Sequence, residues 1–227
     1  MMHQQQMMGV ELRFWPLSDA GAWDSVLSAL WAWEPRLLPS HVDPLTDLQV
    51  ETPEPWNSSQ QAALAQRLAR GDTFSWLLFR EDDEETGMQV AHRPHEVELS
   101  IRAPRPDDSA AESLLRLLAA LSGSVLPVLG MAFAGGSDDA ELTMQGLFKL
   151  QDVPPLFYLS EWALQRVGGR ERIDRLAVPA EPAPGGVLLV VRPVPWQALT
   201  AKERTYVTAV RRGLGIFHDH PLRLAPE

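Results

Sequence analysis

Two histidine pairs come nearest, by residue type and spacing, to a catalytic or metal-binding site. His218 and His220 are two residues apart, which on an extended segment places both imidazoles on one face, where a divalent metal could bind with a distant carboxylate. His92 and His95 form the second pair. Prolines interrupt the backbone beside both pairs, and neither pair belongs to a His-Glu-x-x-His motif. Exposed loop histidines are therefore the favoured interpretation, and a metal-dependent enzyme using His218 and His220 is the alternative.

Other signatures of catalysis are absent from the sequence. The Gly-x-Ser-x-Gly turn of hydrolases does not occur, and neither do the two glycine-rich patterns that cradle phosphates, Gly-x-x-x-x-Gly-Lys and Gly-x-Gly-x-x-Gly. There is no cysteine, which excludes thiolate metal sites and a cysteine nucleophile. Lys149 and Lys202 are the only lysines, which disfavours Schiff-base chemistry. We predict a protein that is not an enzyme and uses no cofactor.

Acidic residues are the most distinctive feature of the sequence. The formal net charge is −10 and the isoelectric point is about 5.1, which argues against a nucleic-acid binder because such proteins neutralise phosphates. Five acids follow one another in a predicted turn, and two more lie in a glycine-rich loop. Solubility alone is the commoner explanation of such charge, but a cationic partner is the sharper hypothesis. We predict that the following acids face that partner: Glu81, Asp82, Asp83, Glu84, Glu85, Asp138 and Asp139.

Eight tryptophans are many for 227 residues, and five of them lie in the first quarter of the chain. Core packing accounts for most of them. Trp33 and Trp56 flank a segment with five prolines, between residues 34 and 56, and are the best candidates for exposed anchors at an interface.

Hydrophobic periodicity and capping residues predict the elements that position these side chains. After a disordered tail over residues 1–9, the predicted strands cover residues 10–15, 73–79, 97–101, 125–133 (an edge strand) and 186–191. The predicted helices cover residues 19–33, 57–69, 109–121, 160–167, 170–176 and 200–212. The acidic run is expected to join the strands at 73–79 and 97–101. We predict one α+β domain over residues 10–227, with helices packed against a mixed or antiparallel sheet.

Sequence composition indicates the cellular compartment. No secretion signal precedes the first strand, no apolar run approaches the roughly 20 residues of a membrane span, and the lack of cysteine suits a reducing environment. A cytoplasmic protein without membrane contact is expected.

A family resemblance lies in the second half of the chain. The segment from Leu159 to Ile173, with its helix stop at Gly168-Gly169-Arg170-Glu171, is followed by a proline-flanked turn and the apolar strand from Gly185 to Val191. This order resembles the immunity proteins of bacterial polymorphic-toxin and type VI secretion systems, in particular the immunity protein 52 family and the related DUF3396 group.

The resemblance implies a partner and a role. Such proteins bind and neutralise a cognate toxin, often a nuclease with a basic active-site cleft, which an acidic inhibitor would suit. An adaptor or chaperone for a secreted effector is a further alternative. The sequence leaves the identity of the toxin and the oligomeric state open.

Overall fold

The fold is built from one long antiparallel sheet with helices on both faces. The computed structural model describes residues 7–44, 53–134, 149–150, 152–216 and 222–223. Its helices are α1 (Ala20–Trp33), α2 (Ser58–Arg70), α3 (Ala110–Leu121), α4 (Glu161–Arg166), α5 (Gly169–Arg175) and α6 (Ala201–Leu214), with a 3-10 turn at Pro35–Leu37. Its strands are β1 (Met7–Phe14), β2 (His41–Pro44), β3 (Glu54–Pro55), β4 (Phe74–Arg80), β5 (Asp83–Arg93), β6 (Glu96–Pro104), β7 (Leu129–Ala134), β8 (Lys149–Leu150), β9 (Leu156–Ser160), β10 (Ala180–Ala183), β11 (Gly186–Val190) and β12 (Leu222–Arg223).

Side-chain caps set the beginnings of the longer helices. Asp19 caps α1 by accepting a hydrogen bond from Gly21, and Asn57 caps α2 in the same way from Ser59 and Gln60. The helices α3 and α6 begin with complete capping boxes, Ser109 with Glu112 and Thr200 with Glu203. All four helix starts agree with the sequence prediction.

Ten strands form the main sheet in the order β10-β11-β9-β7-β1-β6-β5-β4-β2-β3, and every neighbouring pair is antiparallel. The central strand β1 pairs with β6 on one side and with β7 on the other, so both halves of the chain share one sheet. The short strands β8 and β12 pair separately. The α+β class and the antiparallel sheet are confirmed.

Each face of the sheet carries its own hydrophobic core. The helices α1, α2 and α3 supply one core, through side chains such as Trp23, Leu68 and Leu118. The helices α4, α5 and α6 supply the other, through side chains such as Leu164, Ile173 and Val210. In β7, β9 and β11 successive residues enter alternate cores, which explains why these strands are apolar on both faces.

Several predicted boundaries and connections are wrong. The sheet begins at Met7, so residues 7–9, assigned to a disordered tail, belong to β1. The acidic run does not lead to the strand at 97–101; it leads into β5, which was not predicted and which itself turns back into β6. The strand β7 is central and not an edge, because Pro127 precedes it and all its backbone groups remain available for pairing. The sequence prediction also missed the strands β2, β3, β8, β9, β10 and β12.

The helix ends deviate less from prediction. The helix α6 continues through Gly213 to Leu214, and Gly215, with φ of 77°, provides the left-handed cap. Among the described residues, no helix combines the length and the apolar character that crossing a membrane requires.

Candidate functional site

An acidic hairpin joins β4 to β5. Only Glu81 and Asp82 form the turn, because Asp83 already pairs with Arg80 in the ladder, and the register shifts there by a bulge. The carboxylate of Asp83 accepts hydrogen bonds from the backbone N–H groups of Glu85 (3.2 Å) and Thr86 (3.1 Å). The five-residue acidic turn of the sequence prediction is therefore a two-residue turn followed by a bulged strand whose shape the side chain of Asp83 stabilises.

The exposed charge of this hairpin remains large. Glu81, Asp82 and Glu85 are exposed and Asp83 is half-buried. Arg80 donates to both carboxylate oxygens of Asp82, at 2.8 and 2.6 Å, and these hydrogen bonds lower the pKa of Asp82. Residues 80–85 still carry five acids against one arginine.

A cleft of about 470 Å³ opens next to the hairpin, between the end of α1, the loop after β6 and the first half of α3. Trp33 lies in its wall, half-buried, and donates from Nε1 to the carbonyl oxygen of Ser113 at 3.1 Å. Two ion pairs border it: Arg36 with Glu34 (2.9 Å) and Arg116 with Asp108 (2.9 Å). The hydrogen bonds from Arg36 lower the pKa of Glu34.

The hairpin and the cleft are electrostatically coupled. The hydrogen bonds from Arg36 hold the pKa of Glu34 below its ordinary value, and the negative charge of Asp83 opposes part of that shift. The 3-10 turn Pro35–Leu37 connects the hairpin and the cleft, because its Arg36 lines the cleft and the turn contacts both β4 and β5.

Trp56 is held next to the same hairpin by Ser40. The backbone N–H of Trp56 donates to the carbonyl oxygen of Ser40 (2.7 Å), and the Ser40 hydroxyl accepts from the N–H of Glu81 (3.0 Å). The Trp56 ring is half-buried and packs edge-on against Trp31, with centroids 5.8 Å apart. We name the surface formed by residues 33–41, 56 and 80–86 the acidic edge. No local pattern in the sequence indicates the linking role of Ser40.

The predicted residues are thus brought together only in part. Trp33, Trp56, Glu81, Asp82, Asp83 and Glu85 all belong to the acidic edge. The side chain of Glu84 and the whole of Asp138, Asp139, His218 and His220 lie outside the described residues, so the partner contact predicted for the acids and the metal site at the histidines stay predictions.

The acidic edge contains only part of the side-chain arrangement that nucleophilic catalysis requires. The Ser40 hydroxyl lies 2.9 Å from Nδ1 of His41, a distance suited to a nucleophile and its base. No described carboxylate orients that imidazole; it stacks instead on Phe79, with centroids 5.9 Å apart. His92 is 1% exposed whereas His95 is exposed, and the described part of the chain contains no cluster of three potential metal ligands. The arrangement suits binding through charge and aromatic contacts.

Comparison with known proteins finds a solved structure with a similar fold. No family model matches the chain, and no curated protein does. Among solved structures, the chain is similar to one described as Pseudomonas aeruginosa T6SS protein PA0821, with a TM-score of 0.62 and 12% sequence identity. The similarity covers 94% of this chain and 77% of that one. At this identity the likeness establishes a shared α+β fold.

A second group of charges lies on the sheet, away from the acidic edge. Arg13 of β1 is 3% exposed, and its guanidinium contacts Glu11 (Nε, 2.6 Å), Glu96 (2.9 Å) and Glu98 (2.8 Å). Arg93 contacts the same Glu96 and Glu98, each at 3.0 Å. Burial raises the pKa of Glu11, against the attraction of Arg13. Three carboxylates and two arginines in mutual contact form a network that ties β1, β5 and β6 together.

Proposed function

We propose that this protein binds and neutralises a cognate bacterial toxin, and that the acidic edge is the surface that binds it. The observation that carries the proposal is the exposed acidic hairpin fixed beside a cleft with a tryptophan in its wall. Opposite charges accelerate encounter and fix orientation, while an aromatic side chain in a concave surface supplies contact area. The hairpin thus suits a basic cleft of a toxin.

Two further observations support this role. The fold is shared with a protein described as belonging to a type VI secretion system, which suits a partner from such a system. The segment around Gly168 to Glu171 resembles that of immunity proteins. In this proposal the protein acts in the cytoplasm by binding and not by catalysis.

A co-expression experiment tests the proposal directly. The product of the gene adjacent to this one is expressed in a sensitive bacterium with and without this protein, and the two proteins are then mixed to measure association. We expect growth arrest by the neighbour alone, rescue by co-expression, and a stable complex of the purified proteins.

Charge variants locate the surface. Glu81→Gln/Glu85→Gln removes two exposed charges without touching Arg80, Asp82 or Asp83, whose hydrogen bonds hold the hairpin. The matched control is Glu171→Gln/Asp174→Asn, which removes two exposed acids of α5. We expect the hairpin variant alone to slow association, by about tenfold at low salt and by less at high salt. Absence of both rescue and binding contradicts the function, whereas binding with equal rates for both variants contradicts the acidic edge.

A further inference from the structure

The net charge is distributed unevenly along the chain. Residues 1–134 contain 19 acids and 9 arginines, whereas residues 161–214, which include α4, α5 and α6, contain 5 acids and 9 basic residues. A protein with a net charge of −10 thus has one layer of helices with a net positive charge. A need for solubility explains the presence of charged residues, but it does not explain why the acidic and the basic residues lie in different parts of the protein.

The outer face of α6 concentrates this positive charge. Arg204, Thr208 and Arg212 follow one another at intervals of four residues and so form one ridge, about 12 Å long at 1.5 Å per residue. Thr205 and Ala209 lie beside the ridge, and the five residues line a shallow groove of about 330 Å³. Because these intervening residues are small, a partner chain can approach the two guanidinium groups closely.

The two arginines of the ridge have no acidic partner among the described residues. Arg204 is exposed and donates to the carbonyl oxygen of Leu199 (2.8 Å), and Arg212 is also exposed. Within the described part of the chain, Arg70 and Arg102 are also exposed and without an ion pair, but they lie on different elements, whereas Arg204 and Arg212 line the same groove on one helix. The two threonine hydroxyls of the groove donate to carbonyl oxygens of their own helix, so the arginines supply the charge that a ligand would contact.

We propose that the outer face of α6 binds an acidic segment of a partner protein, with carboxylates of that segment contacting Arg204 and Arg212. Arginine suits this role because its planar guanidinium can donate two parallel hydrogen bonds to one carboxylate. The protein's net charge of −10 opposes an extended polyanion such as nucleic acid or an anionic membrane. A short acidic segment contacts only the ridge, where the local charge is positive. This inference does not depend on the toxin-binding function.

The test uses defined ligands and the intact protein. The probe is a fluorescent helical peptide whose glutamates repeat every four residues, and the reference is the same peptide with glutamine in their place. Fluorescence anisotropy is measured at low and moderate salt for the parent, for Arg204→Gln/Arg212→Gln, and for Arg70→Gln/Arg102→Gln. The last variant removes two exposed arginines from α2 and β6 and so has the same net charge.

We expect the parent to bind the glutamate peptide and not the glutamine peptide. Arg204→Gln/Arg212→Gln should weaken binding by about tenfold or more, and Arg70→Gln/Arg102→Gln by less than about twofold. Equal losses in the two variants would show an effect of bulk charge and overturn the proposal, and so would the absence of peptide binding. Tighter binding of a DNA duplex or of anionic vesicles than of the peptide, lost in the α6 variant, would overturn the choice of partner.

Discussion

Removal of Arg13 should destabilise the protein more than any surface charge change. In Arg13→Met the side chain keeps most of its length, but Glu11 loses its cationic partner, and Glu96 and Glu98 retain only Arg93. Glu11 and Glu96 side chains are 5% and 0% exposed, so water cannot replace the lost guanidinium. Breaking a buried pair in this way costs about 3–5 kcal/mol. For a protein of 227 residues, that loss corresponds to a fall in Tm of roughly 10 °C.

The pH dependence of this loss has a definite sign. Burial already raises the pKa of Glu11 above its ordinary 4.5, and removal of Arg13 takes away the attraction that opposes this rise. The folded variant then retains a proton that the unfolded chain releases, so its stability increases as pH falls toward the folded pKa. The deficit of Arg13→Met relative to the parent should therefore be larger at pH 8 than at pH 5.

Urea unfolding, followed by tryptophan fluorescence at both pH values, measures the effect. The control is Arg80→Met, which breaks an ion pair whose side chains are 34% and 69% exposed and should therefore destabilise the protein much less. A second variant, Arg13→Met/Glu11→Gln, should recover part of the loss at pH 8. If Arg13→Met destabilises the protein no more than Arg80→Met, or equally at both pH values, the buried charge network does not stabilise the fold in this way.

Two further predictions concern single positions in the two halves of the sheet. A Cβ added at Gly186 would collide with the carbonyl oxygen of Leu159, so Gly186→Ala should lower the free energy of unfolding by at least about 2 kcal/mol. Gly123→Ala, where an added Cβ meets nothing within 4 Å, should be near neutral, and equal urea midpoints for the two variants would contradict this. Burial lowers the pKa of His92 below its ordinary 6.5 in the folded protein. As pH falls, the unfolded chain therefore takes up a proton at this histidine before the folded protein does. The free energy of unfolding of the parent should then decrease below pH 6.5, by at most about 1.4 kcal/mol per pH unit. His92→Phe should reduce that loss between pH 7.5 and 5.5 in urea unfolding, and an unchanged slope would show that other groups cause it.

Local sequence signals predicted the helices well because caps act over three or four residues. Ser109 with Glu112 and Thr200 with Glu203 form hydrogen bonds within one turn, so the sequence alone contains the whole interaction. The strands were harder to predict. The strand β5 begins inside the acidic run, where Asp83 pairs with Arg80 and the bulge accommodates the following acids. Nothing in the composition of that run indicates a strand, because the stabilising contacts come from its neighbours in the sheet.

The sequence was sufficient to predict the acidic residues of the acidic edge, but not which other residues lie beside them on the surface. The run at 81–85 and the position of Trp33 beside a proline-rich segment were visible in the sequence. Their proximity depends on contacts between distant segments, such as the hydrogen bond from Glu81 to Ser40 and that from Trp33 to Ser113. The contact between Glu81 and Ser40 requires the pairing of β2 with β4, and that between Trp33 and Ser113 requires the packing of α1 against α3; no local pattern specifies either.

The bulge at the acidic hairpin also bears on how tightly a partner could bind there. A flexible acidic turn would lose conformational entropy when it becomes ordered in a complex, at about 0.5–1.5 kcal/mol for each immobilised side chain. In this hairpin, Asp83 is already bonded to two backbone N–H groups and Asp82 to Arg80, so both are ordered before any partner arrives. Glu81 and Glu85 remain free to contact it. Substituting Asp83 should therefore impair binding by loosening the hairpin, even though the proposed contacts are those of Glu81 and Glu85.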